Sequence, residues 1–396
     1  MLIQIVPRRT AEPNGVADYA LALACALRER SGIGSIFLSA TSSAEAAPKQ
    51  DEWRTIPIAR RAEDLVGTLS SLSEETRVYA VLLHFAGYGY QKRGIPLWLA
   101  GGLKDLRRRR PGVPLLTIFH ELYATGRPQQ SAFWLCPVQQ QIARSILKLS
   151  SAAITPTNLS RRRLEKWLSG NNGKAITTMP VFSNVGEPGR GLHPFARAPT
   201  AVIFGLTGVE DRLFGIYRSG LERVVPALGI ESILDVGPRS SSLPSTLAGA
   251  PVISKGALPP TVVSRLLQEA RFGIVAYPVD VIGKSGVFAA YAAHGVVPIV
   301  LSDADRLASL DGLRPNEHFL DGIRFSTGQS AGDLDSIQSE LFDWYTSHAL
   351  PAQADCLAKL IKASPLQAGA NNNRERPVSN CSREAGSVSD VLAKSR

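Results

Sequence analysis

Two α/β domains, each a doubly wound parallel sheet, are what the sequence predicts, and three observations carry that expectation. The chain is 396 residues long, too long for one ordinary core and suited to two domains of roughly 150 to 200 residues each. Short apolar runs alternate with helical patterns in both halves, which implies parallel sheets covered on both faces. A Gly/Pro-rich stretch separates the two alternations and reads as a linker. With 44% apolar and 20% charged residues, disorder can dominate only locally.

In the first half, runs of strand length predict strands at 2–6, 35–38, 78–84, 115–119 and 152–155, with helices over 15–30 and 138–149. The linker is expected at 186–200, so that a first domain covers 1–185. The alternation restarts beyond it. Strands are predicted at 201–206, 232–236, 251–254, 272–276 and 297–301, with helices over 260–269 and 287–294 and one final helix over 333–362. These make a second domain of 201–365. The polar remainder, 366–396, buries too little apolar surface to offset its ordering entropy and is expected to be disordered.

The five-residue apolar run at the N-terminus is too short for a signal-peptide core or a bilayer span, and no other run approaches about 18 apolar residues. A cytoplasmic protein is expected. Cys25, Cys136, Cys356 and Cys381 have no Cys-x-x-Cys spacing and no nearby His, which argues for reduced thiols rather than a metal site or a disulfide framework. The net charge of +10 is unevenly placed: residues 1–185 hold 24 Lys and Arg against 13 Asp and Glu, and the other 211 hold 20 against 21. Arg107–Arg110 and Arg161–Arg163 are the clusters. They suit either an anionic lipid or phosphate surface or a solvated face with cations at a helix C-terminus. No nucleic-acid module accompanies them, so no nucleic-acid partner is expected.

Ligands of open parallel sheets bind beyond the carboxyl ends of the strands, and here those ends are polar. His84 closes one predicted strand and opens a glycine-aromatic loop with Tyr88 and Tyr90; His120 and Glu121 close the next. Either histidine alone also suits a satisfied core position. Asn14 and Gly15 open the first helix, where backbone N–H groups favour an anion. In the second half Asp280, Gly283, Lys284, Ser285 and Gly286 offer backbone donors, a cation and a hydroxyl at a helix N-terminus, as a diphosphate requires. An ordinary capped helix start is the alternative. Gly205 and Gly208 with Arg212 form a second such turn.

Taken in order, these segments resemble GT-B glycosyltransferases, most closely glycosyltransferase family 4 (group 1) enzymes of bacterial polysaccharide biosynthesis. Asn14-Gly15-Val-Ala-Asp-Tyr resembles their first loop and helix, and Thr117-Ile-Phe-His120-Glu121 the strand ending in an active-site histidine. The segment with Gly256 and Leu258 resembles the one approaching the nucleotide base, and Lys284 through Pro298 the helix after the donor phosphates. Two departures stand out. Ile282 and Ala290 occupy the positions of the family's Glu-x7-Glu pair, and Leu206 stands where an Arg falls, with Arg212 near the Lys position.

The resemblance implies two Rossmann-like domains facing across a cleft and transfer from a nucleotide sugar, UDP- or GDP-linked, by a retaining, metal-independent route. Lys284 and Arg212 would stabilise the leaving diphosphate, and His120 would lie near the transferred sugar. Asn14, Gly15, Gly205, Gly256, Leu258, Asp280, Gly283, Ser285 and Gly286 would line the donor, and His84, Tyr88, Tyr90 and Glu121 the acceptor. The acceptor expected is a glycan or lipid-linked glycan at an anionic membrane, met by the basic N-terminal half. A non-catalytic relative that binds nucleotide or glycan, or a sugar-nucleotide epimerase, are the rival readings. Gly-x-Gly-x-x-Gly is missing from both first loops, which disfavours a dehydrogenase.

Overall fold

The structure, a computed structural model, describes residues 1–9, 14–40, 52–168, 174–205, 212–237, 243–302, 311–325 and 331–363. The predicted tail, Gly208 and Leu206 lie outside them. The first sheet uses β1 (Leu2–Val6), β2 (Ser35–Ser39), β3 (Thr55–Pro57), β4 (Ala80–Phe85), β5 (Leu115–Phe119), β6 (Ala152–Thr155) and β7 (Ala175–Thr178). Their order is β3-β2-β1-β4-β5-β6-β7, all parallel. Its helices are α1 (Gly15–Ser31), α2 (Ala62–Glu75), α3 (Gly87–Tyr90), α4 (Leu97–Arg109), α5 (Ser131–Leu149) and α6 (Asn158–Trp167). β1, β2, β4, β5 and β6 are buried along their whole length, the pattern of strands covered on both faces.

The second sheet repeats the plan with β8 (Ala198–Phe204), β9 (Ser232–Val236), β10 (Thr246–Leu247), β11 (Ala250–Gly256), β12 (Ala270–Ala276), β13 (Val297–Leu301) and β14 (Leu320–Asp321). The order is β10-β11-β9-β8-β12-β13-β14, with only the edge pair β10–β11 antiparallel. Helices α7 (Arg218–Ala227), α8 (Pro260–Glu269) and α9 (Gly286–Ala293) connect its strands, and α10 (Ala331–Thr346) and α11 (Leu350–Lys362) close the chain. Strand order reverses between β1 and β4 in one sheet and between β8 and β12 in the other, the places where such sheets open a crevice for ligands.

Several elements differ from the sequence expectation. β3, β7, β10 and β14 are short edge strands without an apolar run. β8 begins at Ala198, inside the stretch read as linker. α5 begins at Ser131 rather than 138 and carries Pro137 on its exposed side. The single helix expected over 333–362 is two helices: Pro351 sits in the first turn of α11, where a missing N–H costs nothing but the preceding backbone is pushed out of the helical region.

That break sends α11 back across the molecule onto α1. The Tyr19 hydroxyl donates to Gln353 Oε1, and Gln353 Nε2 donates to the carbonyls of Pro180 at 2.6 Å and His348 at 2.8 Å. Tyr19 stacks on Phe182 with centroids 4.3 Å apart, a pair worth about 0.5–1.5 kcal/mol beyond its buried area. The Asn158 N–H donates to Asp311 Oδ1 at 2.6 Å, and the Val181 N–H to the Gly283 carbonyl at 2.9 Å. A Cβ on Gly283 would lie 2.9 Å from the Pro156 carbonyl oxygen, so glycine there permits the close approach of the two halves.

The segment before β8 is anchored by Arg197, which is 3% exposed. Its Nε donates to the Leu192 carbonyl, Nη1 to Leu267 and Ala270, and Nη2 to Arg190 and His294, at 2.6 to 3.3 Å. All five guanidinium donors are thereby satisfied, and burial pulls the group down to about 10. Lysine has three donors, so Arg197→Lys withdraws a partner from two of the five carbonyls, of which the Leu192 carbonyl keeps a second donor in Gln338 Nε2 at 2.9 Å. At about 1–3 kcal/mol for each unsatisfied group, we expect a loss of roughly 3 kcal/mol, read as a lower urea midpoint; an unchanged midpoint would contradict this account.

Candidate active site between the two sheets

Strand register builds the first-sheet side of the site. Gln4 pairs with Leu82 and His84 with Ile118, so Gln4, His84 and His120 step diagonally, two residues per strand, along one face. The His120 N–H donates to the Phe85 carbonyl at 3.0 Å, prolonging the ladder just past β5. His84 is fully buried, with Nε2 2.8 Å from Gln4 Oε1 and Nδ1 3.1 Å from His120 Nε2. The two imidazoles are near-parallel at 5.4 Å, and Tyr19 meets both edge-on. Burial, then His120, hold His84 well below the ordinary histidine range. Burial, then the Lys284 ammonium, push half-buried His120 down to about 3.

Lys284, from the second sheet, is close enough to His120 to disfavour a proton on it. Tyr277, just past β12, responds to charges from both sheets: burial and Glu121 push its phenol up while Arg212 pulls it down. Lys284 of the second sheet thus lies within electrostatic reach of His120, and Glu121 of the first sheet and Arg212 of the second both lie within reach of Tyr277. Lys284 ends a 3-10 turn, Val279–Lys284, that also contains Asp280, and Arg212 opens a π-helical turn, Arg212–Ile216, after β8. Gly205 lies at the carboxyl end of β8. Gly256, in the left-handed region at φ 67°, ends β11, with Leu258 half-buried beyond it.

Several of the other predicted site residues also have partners within the fold. Tyr90 does not reach an acceptor: it is fully buried, its hydroxyl set against the carbonyls of Ile5 and His84, both at 3.0 Å. Fully buried His84 likewise cannot touch an acceptor directly. Tyr88 is exposed and its hydroxyl accepts from Gln139 Nε2 at 3.1 Å. Asn14 caps α1, its Oδ1 accepting from the Val16 and Ala17 N–H groups at 3.2 Å each, while Gly15 beside it is exposed with open space above. Ser285 is 5% exposed and caps α9 by accepting from the Phe288 N–H at 3.2 Å. Gly283 belongs to the seam, and Gly286 lies near Asn184. Sequence reasoning missed Gln4, Tyr19, Phe182 and Tyr277. Gln4 had a signal, a lone amide inside an otherwise apolar strand.

The architecture is shared with solved proteins along nearly the whole chain. It is similar to an alpha,alpha-trehalose 6-phosphate synthase from Burkholderia multivorans, with 12% identity, 93% of this chain and 99% of that one covered, and a TM-score of 0.58. The fold is GT-B. The same GT-B arrangement appears in an alpha-glucosyltransferase solved with UDP and a 13-mer DNA, at 10% identity, 91% and 99% coverage and a TM-score of 0.56. A lipopolysaccharide outer core galactosyltransferase has 11% identity, 91% and 100% coverage and a TM-score of 0.53. At such identities the likeness is one of fold. No protein-family model and no curated protein matches the sequence. The expectation of no nucleic-acid partner gains no support, since one GT-B neighbour was solved with DNA. Among the described residues no helix is long and apolar enough to cross a membrane, and no His, Cys, Asp and Glu group is placed to hold a metal.

Five histidines, His84, His120, His294, His318 and His348, are held below their ordinary value chiefly by burial. In the unfolded chain each takes up a proton near pH 6.5; in the folded chain they stay neutral to lower pH. The unfolded state therefore binds more protons below about 6.5, and stability falls as the pH drops from there toward 4.5, above the carboxylate range. At most about 1.4 kcal/mol per pH unit comes from each histidine. Urea midpoints at pH 7 and pH 5 measure it, and equal midpoints would sink the prediction.

Proposed function

We propose that the chain is a glycosyltransferase that moves a sugar from a nucleotide-sugar donor to a glycan or lipid-linked glycan acceptor in bacterial surface polysaccharide assembly. The reading is supported by the electrostatic reach of Lys284 to His120, and of Glu121 and Arg212 to Tyr277, beyond the carboxyl ends of two GT-B sheets. Lys284 and Arg212 supply fixed positive charge for the diphosphate as it departs, and each such donor is worth about 3–4 kcal/mol in comparable oxyanion sites. The half-buried His120 takes the sugar side. The leaving phosphate itself receives the acceptor proton, a retaining route that needs no protein nucleophile and no metal. UDP in one GT-B neighbour and outer-core lipopolysaccharide in the name of another support this choice of donor and acceptor.

A second reading, binding without turnover, is favoured by one observation. Ile282 and Ala290, at the positions of the glutamate pair, are both fully buried, leaving no place there for a carboxylate facing a sugar. Incubation with UDP-, GDP-, ADP- and dTDP-sugars separates the two. Transfer predicts that one donor binds and releases its nucleoside diphosphate, and that Lys284→Ala lowers the rate by about 10²- to 10³-fold. Binding with no release supports the non-catalytic reading, and no binding rejects transfer and leaves a glycan as the ligand of a non-catalytic relative.

For a membrane-borne acceptor, the aromatic pair Phe133 and Trp134 on α5 is a better contact than the arginine cluster. They are 43% and 70% exposed, and Trp134 Nε1 donates to the Pro128 carbonyl beside exposed Arg127. Arg107, by contrast, donates to the Pro111 and Val113 carbonyls in the turn leading into the amino end of β5, away from His120. We expect Trp134→Glu to reduce flotation with anionic vesicles more than charge reversal of Arg107–Arg110 does; the opposite order would return the contact to the arginines.

A further inference from the structure

Ser35, Gln4, His84 and His120 form one hydrogen-bonded file from the interior of the first sheet to the cleft. Gln4 Nε2 donates to Ser35 Oγ at 2.9 Å, which leaves Gln4 Oε1 facing His84 Nε2 at 2.8 Å. A carbonyl oxygen only accepts, so His84 Nε2 carries the hydrogen. His84 is neutral in its buried setting, and its Nδ1 is therefore a lone pair. The 3.1 Å contact to His120 Nε2 then requires His120 Nε2–H to donate. His120, neutral as well, has no hydrogen left for Nδ1. Among the described residues Nδ1 has no hydrogen-bond partner, and it is not buried.

We propose that Gln4 is a positioning residue which, through His84, fixes His120 as the Nε2–H tautomer and so presents a bare, accepting Nδ1 to the cleft. The choice of ligand group rests on the sugar-transfer reading above. A lone pair repels oxygens that only accept, such as those of a diphosphate, and welcomes a hydroxyl, which can donate. His120 thus addresses the sugar of the donor, and the cations Lys284 and Arg212 are left to the phosphates. The file also explains why an amide is held at 0% exposure inside an apolar strand, since each of its groups is paired and the burial cost is offset.

The test is the histidine tautomers of the full chain labelled with ¹⁵N-histidine, read at pH 7 from long-range proton–nitrogen correlations. His84 and His120 are both expected as Nε2–H. An Nδ1–H form or an imidazolium for His120 overturns the proposal. Gln4→Met keeps the volume and removes the acceptor; a population of Nδ1–H His120 should then appear, and an unchanged spectrum from a folded variant refutes the role of Gln4. Should that variant fail to fold, titration of the wild type decides. UDP-glucose should move the His120 Nδ1 resonance toward that of a nitrogen accepting a hydrogen bond, and UDP alone should not. Equal shifts with both ligands overturn the sugar-facing assignment. Tautomers as assigned with no binding of any nucleotide sugar would sink the transferase reading and leave the assignment of Gln4 standing.

Discussion

The contact on which the arrangement depends is the packing of α11 against α1, with Tyr19 at its centre. One aromatic residue stacks on Phe182, closes edge-on over His84 and His120, and donates to Gln353. The last helix of the second half is thereby bound to the first helix of the chain. Arg30 and Asp355 add a paired contact at 2.6 and 2.9 Å farther along, exposed and therefore weakened by solvent screening. Tyr19 thus joins the closing helix of the second half to the histidines at the first sheet's carboxyl edge.

The site itself is a division of polarity. Its first-sheet wall offers neutral imidazoles kept uncharged by desolvation; its second-sheet wall offers cations on short turns after β8 and β12. Neutral histidines beside an ammonium are mutually consistent, because Lys284 further disfavours a proton on His120. Charge is concentrated where an anion would lie, and acceptor groups where it would not. Gly283 and Ser285, expected in a phosphate turn, also serve this geometry by allowing the close seam and by capping α9.

Central strands were legible in the sequence because burial on both faces requires continuous apolar runs, and β1, β5, β6, β9 and β13 follow them to the residue or nearly so. Edge strands such as Thr55–Pro57 are half-exposed and short, so no apolar run announces them. His84 and His120 were found because polar residues at the ends of buried strands are informative. Tyr90 was misread because an aromatic in a glycine-rich loop looks accessible, while its hydroxyl finds two carbonyls inside. Gln4 was overlooked because a strand summed as apolar hides one amide, and its partners are 31 and 80 residues away. The break before α11 was obscured by a helical pattern running through Pro351, which is tolerated in a first turn and so marks a start as readily as an interruption.

Arg197 has a mechanical corollary. With every donor spent on carbonyls before β8, around α8 and after α9, the segment 190–197 is fastened to the second sheet and travels with it. Arg190 Nη1 donates to Ser339 and the Ser183 N–H to the Tyr345 hydroxyl, which fastens the preceding stretch to α10 as well. The backbone has few places left at which the sheets can turn relative to one another: the residues around Pro180 on the outward pass and around His348 on the return. Gln353 laces those two together. The two chain crossings between the sheets are thereby tied to each other by one side chain, so a displacement at either crossing is felt at the other.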